Sequence, residues 1–88
     1  MSWGENVGEV LDKAVALERK YDWLGASGLY EQALGAADEK DFFEKGRIQE
    51  KIGYCLHRAA FQAESREEFR GRLGLAVEAY EKGCGLYE

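Results

Sequence analysis

Cys55 and His57, the only histidine, lie two residues apart, and a thiol near an imidazole can bind a metal ion or act as a nucleophile. Residues two apart on a helix point in different directions, so a helical Cys-x-His pair cannot chelate one ion. With Cys84 the chain offers three soft ligands, whereas a structural zinc site normally has four. The sequence therefore predicts no metal site, and we interpret Cys55 as a small buried hydrophobic residue.

Catalysis by Cys55 or Ser27 together with His57 would need a third, orienting group and an oxyanion site. The sequence contains no Gly-rich phosphate loop, no nucleophile elbow and no paired metal motif. We therefore predict that the protein is not an enzyme and that it uses no cofactor.

Length and charge exclude further classes of function. The chain has 88 residues, of which 45% are hydrophobic, 33% are charged and none is proline, and this composition predicts one small globular domain over residues 1–88. A net charge of −5 does not attract nucleic acid or anionic lipid, and no apolar stretch reaches the roughly 18–20 residues of a membrane span. Neither nucleic acid nor a membrane is an expected partner.

The two cysteines indicate a compartment. Cys55 and Cys84 both fall within helical patterns, and no secretory signal pattern precedes them. We expect reduced thiols and a cytoplasmic location. The sequence does not decide whether a disulfide joins the two helices, because the Cα separation that a disulfide requires is set by the fold.

Apolar residues recur at spacings of three and four along most of the chain, and this periodicity predicts four amphipathic helices. Helix one is predicted to begin near Trp3, after a capping box formed by Ser2 and Glu5. Helix two is predicted to follow the polar break 19–22, with Asp22 as its cap.

The second half of the chain repeats this organisation. Helix three is predicted from Phe42 to Ala63, after a capping pattern formed by Asp41 and Glu44. Helix four is predicted to follow a third capping box and to run to the C-terminus. That box is formed by Ser65 and Glu68, and the apolar face of helix four comprises Phe69, Leu73, Ala76, Val77, Tyr80, Cys84 and Tyr87.

Glycines are frequent in these patterns, although each glycine inside a helix costs up to about 1 kcal/mol relative to alanine. We interpret seven of the eleven as points where another helix approaches closely. These seven are Gly25, Gly28, Gly46, Gly53, Gly71, Gly74 and Gly83. The alternative is a break at Gly71 and Gly74 that leaves residues 66–70 as a separate short turn.

Two segments share a pattern of a small residue, an aromatic residue and a second small residue: Ala26, Tyr30 and Ala33 in helix two, and Ala76, Tyr80 and Gly83 in helix four. This pattern resembles the second helix of a tetratricopeptide repeat. Gly53 and Leu56 of helix three resemble first-helix positions of that repeat, whereas helix one has Lys13 where leucine is usual.

The two patterns begin 76 − 26 = 50 residues apart, whereas the usual period of the repeat is about 34. The longer period and the missing proline resemble long-helix variants, namely the soluble NSF-attachment proteins and archaeal tetratricopeptide proteins. Residues 50–55 and 58–64 are most similar to the archaeal group. The alternative is a three-helix domain similar to the microtubule-interacting and trafficking domain, which carries a related pattern.

The resemblance implies an all-α, right-handed array of two antiparallel helical hairpins, over residues 1–37 and 41–88. It also implies that the first helix of each hairpin lines a concave surface. The residues that we expect to bind a partner there are Leu11, Val15, Arg19, Arg47, Glu50, Lys51, Tyr54, His57 and Arg58. Cations beside an aromatic residue can bind the carboxylates of an acidic or C-terminal peptide segment. The alternative is that these charges pair only with Glu18, Glu44 and Glu50 along the helices.

These features predict a non-enzymatic module that binds a peptide or protein segment. Two hairpins are fewer than the three or more repeats that a stable stack usually needs, so the ends of the array need a cover. A structural homodimer is therefore a second hypothesis, in which Phe43, Phe61 or Leu86 is covered by another chain. A trafficking-type helical adaptor is a third.

Overall fold

The computed structural model describes residues 6–87, with the side chains of residues 6–85. This part of the chain is all-α and has no strand. Its four helices are α1 (Val7–Arg19), α2 (Trp23–Ala36), α3 (Phe42–Ala60) and α4 (Arg66–Tyr87). Each helix packs against the next one in the chain, and the contact between α3 and α4 is the most extensive.

Capping side chains determine where the first three helices begin. The carboxylates of Asp22 and Asp41 accept hydrogen bonds from the amides of Gly25 and Glu44 at 2.9 and 3.0 Å, which confirms both predicted caps. The predicted box of Ser2 and Glu5 lies outside the described residues. α1 begins at Val7 instead of Trp3, because Asn6 has an extended backbone and its side chain caps the helix.

The predicted box before α4 forms with one change. The Ser65 hydroxyl accepts from the Glu68 amide at 3.1 Å, whereas the Glu68 carboxylate accepts from the amide of Glu64 instead of that of Ser65. α4 then continues through Gly71 and Gly74 without a break. The alternative of a separate turn at residues 66–70 is therefore wrong.

α3 ends at Ala60, three residues before the predicted end at Ala63. The guanidinium of Arg72 donates to the Ala59 carbonyl at 2.8 Å. The amides of Gln62 and Ala63 bond to carbonyls only three residues back, as in a tight turn at a helix end. A side chain of α4 therefore helps to satisfy a carbonyl at the end of α3.

The core is built mostly from small residues. Its buried members on α1 and α2 are Val10, Ala14, Trp23, Ala26, Tyr30 and Ala33, and those on α3 and α4 include Ile48, Ile52, Cys55, Ala59, Ala76 and Ala79. Small side chains allow the helix axes to approach closely, so burial on α4 is centred on Ala76, Ala79 and Gly83. The predictions that Val77 and Cys84 face the core are wrong, because both are exposed at the edge of that contact.

Two of the seven glycines proposed as close-approach points allow α3 and α4 to meet. A Cβ on Gly53 would lie 2.9 Å from the Tyr80 ring, and one on Gly83 would lie 3.3 Å from the Gly46 carbonyl oxygen. The same interpretation is wrong for Gly28, Gly71 and Gly74, since a Cβ on any of them would meet no atom within 4 Å. At Gly25 the neighbour is the Asp22 carboxylate that caps its own helix.

Gly53→Ala should lower the free energy of unfolding by about 1–3 kcal/mol, because the added methyl group must displace the Tyr80 ring. Gly71→Ala is the matched control, and it should raise the free energy of unfolding by about 0.5–1 kcal/mol through helix propensity alone. Urea denaturation followed by circular dichroism measures both. Equal effects of the two substitutions would contradict the close approach.

The turn between α1 and α2 has a tyrosine in a conformation that favours glycine. Tyr21 has φ of 63°. Its amide donates to the Glu18 carbonyl at 2.9 Å, and the Asp22 amide donates to the Leu17 carbonyl at 3.0 Å. This is a Schellman motif, whose left-handed position costs about 1–2 kcal/mol for a residue with a Cβ.

Tyr21→Gly should therefore raise the free energy of unfolding by about 0.5–1 kcal/mol, since the Tyr21 side chain is exposed and contributes little burial. Lys20→Gly is the control, because the neighbouring Lys20 has φ of −94° and gains no relief from glycine. Thermal unfolding of the two variants should shift in opposite directions. Destabilisation by both would show that the left-handed position is not strained.

Candidate functional site

α1 and α3 form the two walls of a cleft of about 400 Å³, which we call the α1–α3 groove. Apolar side chains come from α1 and charged side chains come mainly from α3. The lining residues are Leu11, Val15, Tyr30, Glu44, Arg47, Ile48, Glu50 and Lys51. The groove exists because residues three and four apart on each helix share one face.

Five of the nine residues predicted to bind a partner line this groove: Leu11, Val15, Arg47, Glu50 and Lys51. Tyr54 lies outside it, in a second cleft between α3 and α4 that also contains Glu50, Lys51, Tyr80 and Cys84. Arg19, His57 and Arg58 line neither cleft. The structure thus brings together the residues of α1 and the N-terminal half of α3.

A network of three side chains connects the helices beneath the groove. The Tyr30 hydroxyl of α2 donates to the Glu18 carboxylate of α1. The Lys51 ammonium of α3 lies 3.3 Å from the same carboxylate, whose side chain is only 13% exposed. Lys51 Nζ also lies 5.7 and 5.5 Å from the ring centroids of Tyr30 and Tyr54, within the range of a cation–π contact. Lys51 is therefore paired between helices, in addition to lining the groove.

The sequence pointed to Glu18 as a charge partner of the α3 cations, but not to its hydrogen bond with Tyr30. A buried tyrosine needs a partner for its hydroxyl, so Tyr30 was a signal that an acceptor must lie nearby. Glu18 is on the same face of α1 as Leu11 and Val15, and this spacing made it the available acceptor. Glu44 and Ile48 also line the groove, although neither is among the residues predicted to bind a partner.

The C-terminal half of α3 packs two of its three predicted binding residues on Trp23. The Tyr54 ring meets the Trp23 ring edge-on at a centroid distance of 5.6 Å. The Arg58 guanidinium lies 5.3 Å from the Trp23 ring centroid. His57 is exposed, and the centroid of its ring lies 5.3 Å from that of the Phe61 ring. Tyr54 and Arg58 therefore cover a core aromatic residue.

Unlike Lys51, Arg47 makes no ion pair within residues 6–87, and its side chain is exposed in the groove. The acidic residues Glu44 and Glu50 line the same cleft without an ion pair to a described residue. Of the predicted pairings with Glu18, Glu44 and Glu50, Lys51 makes the one with Glu18, although between two helices and not along one helix. Arg47 makes no such pair with a described residue.

The residues of the tetratricopeptide-like pattern lie mainly in the core. Ala26, Tyr30, Ala33, Ala76, Gly53 and Gly83 are buried, and Leu56 is half-buried. Tyr80 packs on Gly53 but remains 36% exposed, whereas Tyr30 is 2% exposed. The two aromatic residues therefore occupy different environments despite their similar sequence context.

Cys55 and His57 do not meet, since Cys55 is buried and His57 is exposed. The pKa of the Cys55 thiol is raised to about 12, mainly by burial and also by the nearby Glu18 charge, while Lys51 opposes the increase. The thiol is consequently protonated at neutral pH. Burial, followed by the hydrogen bond to Glu18, likewise raises the pKa of Tyr30 well above its usual range.

Both cysteines are unpaired, with Cys84 at the surface. Among the described residues, no group of three or more His, Cys, Asp or Glu side chains could hold a metal ion. No described helix has the length and apolar character needed to cross a membrane. Comparison of the chain with protein-family models, curated proteins and solved structures finds no match.

The two thiols should differ strongly in reactivity. At pH 8 a disulfide reagent should label Cys84 quickly and Cys55 at least about a hundredfold more slowly, because Cys55 is buried and protonated. Absorbance of the released thiolate measures both rates. Cys84→Ser should remove the fast phase, and a fast phase that persists in this variant would contradict the burial of Cys55.

Proposed function

We propose that the protein is a non-enzymatic interaction module that binds a peptide segment in the α1–α3 groove. The observation that carries this proposal is the composition of the groove walls. Leu11 and Val15 offer apolar contact on one wall, while Arg47 offers on the other a guanidinium that has no ion pair to a described residue. A groove between two preformed helices can bind a segment without ordering its own backbone first.

The charges of the groove restrict the peptide that fits. A guanidinium binds a carboxylate through charge-assisted hydrogen bonds, so Arg47 favours one acidic side chain or a C-terminal carboxylate. Glu44 and Glu50 repel a segment with many negative charges. The preferred segment therefore combines one carboxylate with an apolar side chain that packs on Leu11 and Val15.

We also propose the finer arrangement of the fold, namely two antiparallel hairpins similar to long-helix tetratricopeptide domains. Sequential packing of the four helices supports it, as does the contact of Tyr80 with Gly53, which joins two positions of the repeat pattern. The 22-residue α4 has no counterpart in a three-helix trafficking domain, which favours the tetratricopeptide-like alternative.

Two further features fit this role. The separation of buried Cys55 from exposed His57 supports binding without catalysis. Free thiols at Cys55 and Cys84 suit a reducing compartment, and we place the protein in the cytoplasm on that basis.

Selection from a displayed library of random peptides, with the full chain as bait, tests the groove. Fluorescence polarisation of the enriched peptides then measures binding to variants. Val15→Asp and Arg47→Glu should each weaken binding at least about tenfold, because one removes apolar contact and the other repels the carboxylate.

Arg66→Glu is the matched control, because this exposed arginine of α4 lies outside the groove and undergoes the same change of charge. It should leave the affinity unchanged within about twofold. The groove is not the binding site if enriched peptides bind Val15→Asp and Arg47→Glu as well as the original chain. Failure to enrich any peptide also contradicts the proposal.

A further inference from the structure

α4 exposes an apolar stripe beside its buried face. Its members are Leu73, Val77, Tyr80 and Cys84, at spacings of four, three and four residues. Val77 is 50% exposed, Tyr80 is 36% exposed and Cys84 is at the surface, while Leu73 is half-buried. Tyr80 and Cys84 also line the cleft of about 430 Å³ between α3 and α4. The stripe thus forms an apolar surface over residues 73–84 of the 22-residue α4.

The segment of α2 with the similar sequence pattern is covered by helices on both sides. Tyr30 of α2 is buried because α2 packs between α1 and α3. Tyr80 has the same sequence context in α4, but within residues 6–87 no helix follows α4 to cover it. The stripe therefore has the composition of a helix-packing surface that lacks its second helix.

α1 of another copy does not suit this surface. The exposed charged side chains of α1 outside the groove include Glu9, Asp12 and Lys13, and Lys20 is exposed at its C-terminal cap. Burying these charges against the apolar centre of the stripe would cost desolvation energy, because Arg70 and Glu81 of α4 lie only at its margins. A head-to-tail stack of copies is therefore disfavoured.

The charges that border the stripe favour α4 itself as the partner. Arg70 and Glu81 flank the stripe on the same side of Val77, one towards each end, and both are exposed without an ion pair to a described residue. If two α4 helices pack antiparallel, Arg70 of each copy meets Glu81 of the other. A parallel pair would instead place the charges of the two copies on opposite flanks of the contact, so Arg70 would have no Glu81 partner.

We propose that the protein forms a two-fold dimer in which the stripe of α4 packs antiparallel on the same stripe of a second copy. Such an interface is isologous, so each favourable contact occurs twice. The two clefts share only Glu50 and Lys51, and the residues of α1 lie on the other side of these two. The dimer therefore leaves both α1–α3 grooves open, and the proposal does not depend on peptide binding.

Sedimentation equilibrium of the full chain in a reducing buffer, from about 1 µM to about 1 mM, tests the dimer. Val77→Glu should weaken dimerisation at least about tenfold, because it places a charge in the centre of the stripe. Leu75→Glu is the matched control, since Leu75 is 52% exposed but lies on the other flank of α4. It should leave the dimer unchanged within about twofold.

Exchange of the two flanking charges tests the antiparallel direction. Arg70→Glu and Glu81→Arg should each weaken the dimer about tenfold, and the double variant should restore it. Circular dichroism of each variant at low concentration reports whether the helix content of the chain is retained. A chain that stays monomeric at about 1 mM, a dimer unaffected by Val77→Glu, or a double variant without restoration would overturn the proposal.

Discussion

The groove depends on the pairing of the Glu18 carboxylate with Tyr30 and Lys51, because these three side chains connect the three helices that surround it. A nearly buried carboxylate is costly unless it is hydrogen-bonded, and a buried tyrosine hydroxyl needs an acceptor. Each group therefore compensates for the burial of the other, and loss of one partner would leave a desolvated charge or hydroxyl behind. This mutual requirement positions α1 relative to α3 and so sets the width and composition of the groove.

α3 and α4 pack closely for a different reason, because glycine at their contact has no side chain. Gly53 and Gly83 let the two helices approach until the Tyr80 ring and the Gly46 carbonyl reach their backbones. Ala76, Ala79 and Gly83 of α4 consequently face α3, and the larger Val77 remains outside. The packing that stabilises this pair of helices therefore also creates the apolar surface of α4.

The two surfaces differ in their chemistry and in what they can bind. The α1–α3 groove combines apolar contact with a cation that has no ion pair among residues 6–87, which suits the carboxylate-bearing segment proposed to bind there. The stripe of α4 is apolar in its centre and bears opposite charges at its two ends, which suits a copy of itself. A dimer with two open grooves would bind a partner with two such segments more tightly than either groove alone.

Local patterns in the sequence were sufficient to predict four helices, the caps at Asp22 and Asp41, and the burial of Tyr30 between small residues. They also placed Leu11 with Val15, and Arg47 with Lys51, on common helix faces, because helical periodicity depends only on spacing along the chain.

Only the tertiary structure decided which of these faces meet. Lys51 pairs with Glu18 across 33 residues, Tyr54 and Arg58 pack on Trp23, and Val77 is excluded from the core. These outcomes depend on how each helix is rotated about its axis and how closely it approaches its neighbour. Both quantities result from the packing of all the side chains at once, so no local segment of the sequence contains them.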